Sequence, residues 1–288
     1  MQRQVKASIT RTEPLVWLPV CLLLLSACQT LNSTDRLLAK AVAEGFQVAR
    51  LQVAGLPFLT LNKLCTNSNS LRIYIEGDGR SWITRHRYSL DPTPENPLAL
   101  RLALQDAGDT SIAYLSRPCQ YALKVERSSC SPRLWTRDQY SETVISAFNS
   151  VIDRLKGDAG ADELELIGYS GGATVALLIA ARRSDIKKLR SIAGNLDPTA
   201  FAAHHKVSVS NSALNPSAYT DKLVSVPQLH LVGAEDLIVP EQIANAYLQN
   251  FEDKRCIAKY VLAGVDHSEG WESDWSRLLI YPLRCRTD

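Results

Sequence analysis

Asp162-Glu-Leu-Glu-Leu-Ile-Gly168-Tyr-Ser170-Gly-Gly172, running on into Ala173–Arg183, is the stretch that decides the fold. Leu164, Leu166 and Ile167 read as a short buried strand that breaks at glycine. Ala173–Arg183 is rich in alanine and leucine, which lose little on entering a helix. Between the two lies a G-x-S-x-G pattern, Gly168 to Gly172, in the strand–turn–helix context the pattern requires. Small residues two before and two after the serine let strand and helix approach closely. The sharp turn lifts the hydroxyl above the sheet edge, near the positive end of the following helix. Ser170 is therefore a candidate nucleophile. The alternative is a glycine-rich turn with an idle serine.

On either side, strand and helix patterns alternate. Phe46–Val53 and Pro57–Leu61 read as short strands joined by a Gly-Leu-Pro turn, and Leu71–Glu76 as a stronger one. Helix is expected over Asn96–Ala107, a strand over Ser111–Leu115, and a long helix over Thr136–Lys156, with Tyr140, Val144, Phe148, Val151 and Leu155 at helical spacing. Further strands are expected at Arg190–Ala193, Gln228–Val232 and Lys259–Leu262, and helices at Pro240–Phe251 and about Glu272–Leu279. This alternation predicts an α/β fold in one domain over residues 46–288. Its central sheet would be mostly parallel, with helices on both faces and an antiparallel opening edge. Residues 198–223 carry weak periodicity between two core strands and read as a small cap insertion.

A serine hydroxyl needs a base. Of the five histidines, His267 follows the last expected strand in Gly264-Val265-Asp266-His267 and suits that role. His230 lies inside an apolar strand and reads as core, His204 and His205 fall in the cap region, and His86 in a polar loop. The acid that orients the imidazole is assigned to Asp236, in the short loop after Gln228–Val232, with Asp197 and then Glu235 as runners-up. Glu76-Gly77-Asp78-Gly79 follows the strongest strand, and its backbone amides can face a developing oxyanion. The expected donors are the amides of Gly171 and Asp78, with Gly79 as the alternative second donor. No His or Cys cluster at ligand spacing accompanies Asp78, so neither metal nor cofactor is expected.

These positions resemble the α/β-hydrolase superfamily from about Gln47 onward: Gly168–Gly172, Asp236 and His267 stand in the family's order of nucleophile, acid and histidine. The chain departs at the oxyanion loop, where many lipases and esterases carry His-Gly and this chain carries Glu76-Gly77. The resemblance implies acyl transfer through an acyl-enzyme on Ser170. Few large apolar residues occupy 198–223, which favours carboxylic esters with small or medium acyl chains. Amide, peptide or lipid hydrolysis on the same fold, or an inactive binding protein, are the other readings. Arg80, Trp82 and the loop to Pro97 are expected to border the site.

The first residues carry a separate message. Arg3, Lys6 and Arg11 precede an almost unbroken apolar run, Leu15–Ala27, the pattern of an export signal. The run falls short of the roughly 20 residues a spanning helix needs. Leu25-Ser26-Ala27-Cys28 resembles a bacterial lipobox, which implies a signal peptide over 1–27, cleavage before Cys28, lipidation of that cysteine and a tether over 28–45. Gln29 implies passage to the outer membrane, facing the periplasm. The expected partners are thus the membrane, through the lipid anchor, and a small ester or lipid substrate.

Composition agrees. Hydrophobic residues at 45% and charged residues at 22% exclude a disordered chain or a multi-pass membrane protein. Lys and Arg number 32 against 30 Asp and Glu, with no dense basic cluster, so no nucleic-acid partner is indicated. Of seven cysteines, the leader removes Cys21 and lipidation uses Cys28. In an oxidising compartment the other five allow two bridges. Cys119 and Cys130 bracket a short polar loop, Cys256 and Cys285 would tie down the last helix, and Cys65 is left over.

Overall fold

The computed structural model describes residues 33–287. The expected signal peptide, Cys28 and the start of the tether lie outside the described residues. Ser33–Ala43 forms a first helix, α1. Ten strands follow: β1 Gln47–Val53, β2 Leu56–Lys63, β3 Ser70–Ile75, β4 Trp82–Thr84, β5 Arg87–Tyr88, β6 Ser111–Leu115, β7 Glu163–Tyr169, β8 Ile186–Ile192, β9 Gln228–Gly233 and β10 Ile257–Leu262. The remaining helices are α2 Leu98–Leu104, α3 Glu142–Ala159, α4 Gly171–Ala180, α5 Pro198–His205, α6 Thr220–Leu223, α7 Glu241–Leu248 and α8 Trp275–Ile280. Strands β4 and β5 form a small separate hairpin; the other eight make one sheet in the order β1-β2-β6-β3-β7-β8-β9-β10.

Within that sheet β1–β2 and β2–β6 pair antiparallel and every other pair is parallel. This is the α/β-hydrolase fold. The parallel strands alternate their side chains between two apolar layers. On β3, Leu71, Ile73 and Ile75 face one core with Val144, Phe148 and Val151 of α3 and Val175 to Ile179 of α4. Tyr74, Tyr114, Ile167 and Ile192 face the other, with Leu98 to Ala103 of α2 and Trp271, Trp275 and Leu278 around α8. Both faces are covered, so the strands read as near-continuous apolar runs.

Several boundaries depart from expectation, and the starts of four elements show why. Helix α3 begins at Glu142, since Ser141 caps it by accepting from the Val144 N–H, and residues 136–141 run as turns ahead of it. Tyr140, expected on the helix face, therefore precedes the helix and is freed for the site. Helix α2 begins after Pro97, whose extended backbone starts it. Strand β8 begins at Ile186 rather than Arg190; its exposed Lys187 and half-buried Lys188 mask the strand in the sequence, yet each pairs across to β7, with Glu163 and Glu165 respectively. Strand β10 begins at Ile257 rather than Lys259.

The sheet order places the site. After β3 the chain moves outward to β6 and then returns to lay β7 on β3's other side. The loops after β3 and β7 thus diverge at a switch point, where open parallel sheets form their crevice. Register puts Ile75 beside Gly168, so Glu76-Gly77-Asp78 emerges next to Tyr169-Ser170.

Candidate active site

Ser170 sits between β7 and α4 with φ 51° and ψ −122°. A non-glycine residue in that region costs about 1–3 kcal/mol. Neighbouring backbone holds it there: its N–H donates to Ile192 O at 2.9 Å, and its carbonyl accepts from Ala173 N and Asn195 N, each at 3.0 Å. The glycines of the pattern are explained by contact. A Cβ on Gly168 would lie 2.5 Å from the Ala173 Cα, and one on Gly172 would lie 2.4 Å from the Ile75 carbonyl oxygen. Strand, turn and helix can pack this closely only with hydrogen at both positions.

The loops after β9 and β10 bring the other two residues. His267 Nε2 lies 3.1 Å from Ser170 Oγ, and its Nδ1 lies 2.9 Å from Asp236 Oδ2. The Asp236 side chain has no exposed surface. Its second oxygen, Oδ1, accepts from the N–H groups of Ile238 and Val239 at 2.8 and 2.7 Å. The carboxylate is therefore fixed by backbone on one side and offers its free oxygen to the imidazole on the other. Tyr169 packs its ring against that imidazole, centroids 5.3 Å apart. The arrangement can move a proton from the serine hydroxyl to Nε2 while the carboxylate stabilises the resulting imidazolium.

The runners-up are engaged elsewhere. Asp197 caps α5, accepting from Thr199 N and Ala200 N, and also takes bonds from Asn215 and Ser217. Glu235 is exposed. His230 is fully buried in β9 between Ser191 and Gln228, and burial pushes its pKa down to about 3, so it is a neutral core residue. His204 and His86 are exposed, and His205 bonds the Ile238 carbonyl.

The loop after β3 closes over the turn. Gly77 approaches the nucleophile: a Cβ on it would lie 3.3 Å from Ser170 Cβ. Asp78 directs its carboxylate against Gly171, where an added Cβ would come within 1.9 Å of Oδ1. The structure thus brings together Asp78 and Gly171, the two expected amide donors. Gly79 has φ +64° and lies against the Pro92 carbonyl and Gln120.

Three residues of this loop's support escaped the sequence reading. Arg117, only 4% exposed in its side chain, donates to Asp78 Oδ1 at 2.8 Å and to the Gln139 carbonyl at 2.9 Å. The Tyr140 hydroxyl lies 3.4 Å from both Asp78 oxygens, and Gln120 donates to the Gly77 carbonyl at 3.0 Å. Arg117 and Gln120 sit in the irregular segment after β6, which gives no periodic signal. The nearby Cys119–Cys130 pair hints that the segment is held in place. Glu76, where many lipases and esterases carry histidine, is fully buried. Its carboxyl accepts from the Gly77 N–H and the Tyr114 hydroxyl, and burial raises its pKa to about 7.

Disulfides join Cys119 to Cys130 and Cys256 to Cys285, and Cys65 is a free thiol. Among the described residues no group of three or more His, Cys, Asp or Glu could hold a metal ion. A cavity of about 1060 Å³ opens beside the turn, with Tyr140 and Asn195 on its inner wall and Trp82 at its rim. Trp82 lines that cavity, and Arg80 pairs with Glu95.

The sequence profile described as Serine hydrolase (FSH1) matches residues 119–267, about half of the chain, and spans Ser170, Asp236 and His267. No curated protein sequence matches the chain. Solved structures do. An acylaminoacyl peptidase aligns at TM-score 0.60 with 11% identity over 84% of this chain, which spans only 42% of that enzyme's length. Est1E from Butyrivibrio proteoclasticus aligns at TM-score 0.53 with 13% identity, over 81% of this chain and 97% of Est1E. An alpha-beta serine hydrolase homologue from Coxiella burnetii aligns at 0.52 with 12% identity, over 81% and 93%. At these identities the structures share the fold.

Proposed function

The chain belongs to the serine hydrolase (FSH1) family, and from that premise we propose that it cleaves carboxylic esters through an acyl-enzyme on Ser170 while anchored to a membrane by a lipidated Cys28. The observation that carries the reading is the continuous hydrogen-bonded line Ser170 Oγ–His267 Nε2, Nδ1–Asp236 Oδ2 on a strained strand-to-helix turn. In the first step His267 takes the Ser170 proton as Oγ attacks the ester carbonyl. The negative oxygen that forms lies between the amides of Gly171 and Asp78. His267 then gives the proton to the leaving alcohol, and water repeats the sequence on the acyl-enzyme.

Small and medium acyl chains are favoured by the walls of the cavity. Its walls mix apolar and aromatic side chains, among them Trp82, Phe201, Val207 and Val209, with cationic and polar ones, so an acyl chain lying along it meets charge as well as apolar surface. The lipobox-like Leu25–Cys28 supports export and anchoring, and the two disulfides suit an oxidising compartment such as the periplasm. The domain would then comprise residues 46–288, with 198–223 as its cap over the site.

The test is turnover of p-nitrophenyl esters of increasing acyl length by the purified domain and by Ser170→Ala. The expected result is activity on short and medium esters that drops at least a thousandfold in the variant, whose unfolding transition stays near the parent's. Undiminished turnover by Ser170→Ala would reject the assignment.

A further inference from the structure

The cavity beside the nucleophile has an uneven charge. Its lining includes Arg85, His86, Arg133, Arg137 and Lys206 and no Asp or Glu. Asp138 stands just behind the lining and neutralises Arg133 through two bonds of 2.7 and 3.0 Å. Its Oδ1 also accepts from Ser212, so that carboxylate is committed. Arg85, Arg137 and Lys206 have no ion-pair partner within 4.0 Å among the described residues, and Arg85 instead donates to the Lys206 carbonyl at 3.0 Å. Of the carboxylates near the inner wall, Asp78 is matched by Arg117, and Asp197, between Asn195 and Pro198, is held by the neutral donors of Thr199, Ala200, Asn215 and Ser217. Three cations from three separate segments therefore surround one opening whose lining carries no acid, with Asp138 behind it shared between Arg133 and the field of Arg137. The segments are the β4–β5 hairpin, the turn before α3 and the end of α5.

That concentration is out of keeping with a chain whose basic and acidic residues nearly balance, at 32 and 30. A cleft lined by one sign of charge with low-dielectric walls focuses its field and raises the local concentration of oppositely charged solutes. The exposed Trp82, Val207 and Val209 on the same walls add apolar surface for the body of a molecule.

Resting on the esterase reading above, we infer that the substrate is an anionic ester, one that carries a carboxylate or a phosphate away from the scissile bond. Arg85, Arg137 and Lys206 receive the charge while the ester carbonyl reaches Ser170 past Tyr140 and Asn195. The reaction is the same hydrolysis: water adds across the acyl–oxygen bond, the alcohol leaves with one proton, and the distant anion is unchanged.

The experiment compares three p-nitrophenyl esters with similar acyl chains: the octanoate, the monoester of suberate, which differs from it by a terminal carboxylate, and the 7-phosphonoheptanoate. The suberate or the phosphonate ester is expected to show kcat/KM about tenfold above the octanoate at low salt. The preference should collapse at 0.5 M NaCl, within the range where screening shortens the Debye length to a few ångströms. Whichever anion wins identifies the charged group. The double variant Arg137→Glu, Lys206→Glu, altered only at exposed positions, should reverse the ratio of anionic to neutral turnover. Equal or better use of the octanoate, or an anionic preference that survives the double reversal, would overturn the inference. Binding of suberate to Ser170→Ala, measured by calorimetry, separates the two claims. If no ester turns over but suberate binds and the double reversal abolishes binding, the anion site stands and the esterase reading fails.

Discussion

Asp236→Asn is the substitution whose consequence the geometry fixes most tightly. The side chain is enclosed, and asparagine occupies the same volume, so packing is undisturbed. Which amide atom goes where is decided by the backbone. The Oδ1 position accepts two N–H bonds, from Ile238 and Val239, and only the amide oxygen can accept both. The NH2 group must then occupy the Oδ2 position, 2.9 Å from His267 Nδ1. Facing a donor, Nδ1 becomes an acceptor and the ring proton moves to Nε2. That nitrogen lies 3.1 Å from Ser170 Oγ and can no longer take its proton. Loss of the correct tautomer in a serine–histidine–aspartate site lowers kcat by about ten-thousandfold, or about 5.5 kcal/mol. The assay is steady-state hydrolysis of p-nitrophenyl butyrate beside a thermal unfolding curve. The curve should move little, because both backbone bonds survive in neutral form. Asp197→Asn and Glu235→Gln, measured in parallel, should stay within a few-fold of the parent. A folded Asp236→Asn protein within tenfold of the parent would refute the reasoning.

Removing Arg117 as Arg117→Met leaves the Asp78 carboxylate against Gly171 without its counter-ion. A unit charge about 5 Å from the developing oxyanion costs about 3 kcal/mol at an effective dielectric of 20, so kcat should fall about a hundredfold. Adding Asp78→Asn should recover most of that loss, and a double variant no faster than the single one would contradict the electrostatic explanation. Glu76, ordinarily near 4.5 and raised to about 7 in the folded chain, keeps its proton where the unfolded chain has lost it. Its contribution is therefore fully present below pH 4.5 and is lost as pH rises through 7, by up to about 3 kcal/mol. Urea unfolding of the parent between pH 5 and 8 should show that fall relative to Glu76→Gln. The opposite slope of His230, whose folded pKa is depressed, is common to both proteins and cancels. Equal pH slopes in the two proteins would contradict a protonated Glu76. Replacing both Cys256 and Cys285 by serine opens a link spanning 29 residues and should cost about 3.5 kcal/mol on the chain-entropy estimate, read as a lower urea midpoint.

The parts of this protein legible in the sequence are those whose physics is local. The strand, turn and helix around Ser170 announce themselves because Gly168 and Gly172 are required by contacts within a few residues of the serine and against the neighbouring strand. Asp236 and His267 are legible because each follows a strand in a loop too short to lead elsewhere. Tyr140 misleads for a local reason: its spacing matches the face of α3, but Ser141 caps that helix one residue later, and a cap outweighs periodicity. Arg117 and Gln120 lay beyond reach, since their partners Asp78 and Gly77 are about 40 residues away and meet them only because β6 lies next to β3. Lys187 and Lys188 hid the start of β8, since two lysines argue for a loop until their acidic partners on β7 are in place.

The central claim is that Ser170 is an activated nucleophile, and a fluorophosphonate probe tests it most directly. The native protein is treated with the probe, digested and mapped by mass spectrometry. The account predicts one adduct, on the peptide containing Ser170, absent after prior denaturation and absent in His267→Ala. An adduct on another serine, or none on a well-folded protein, would contradict it.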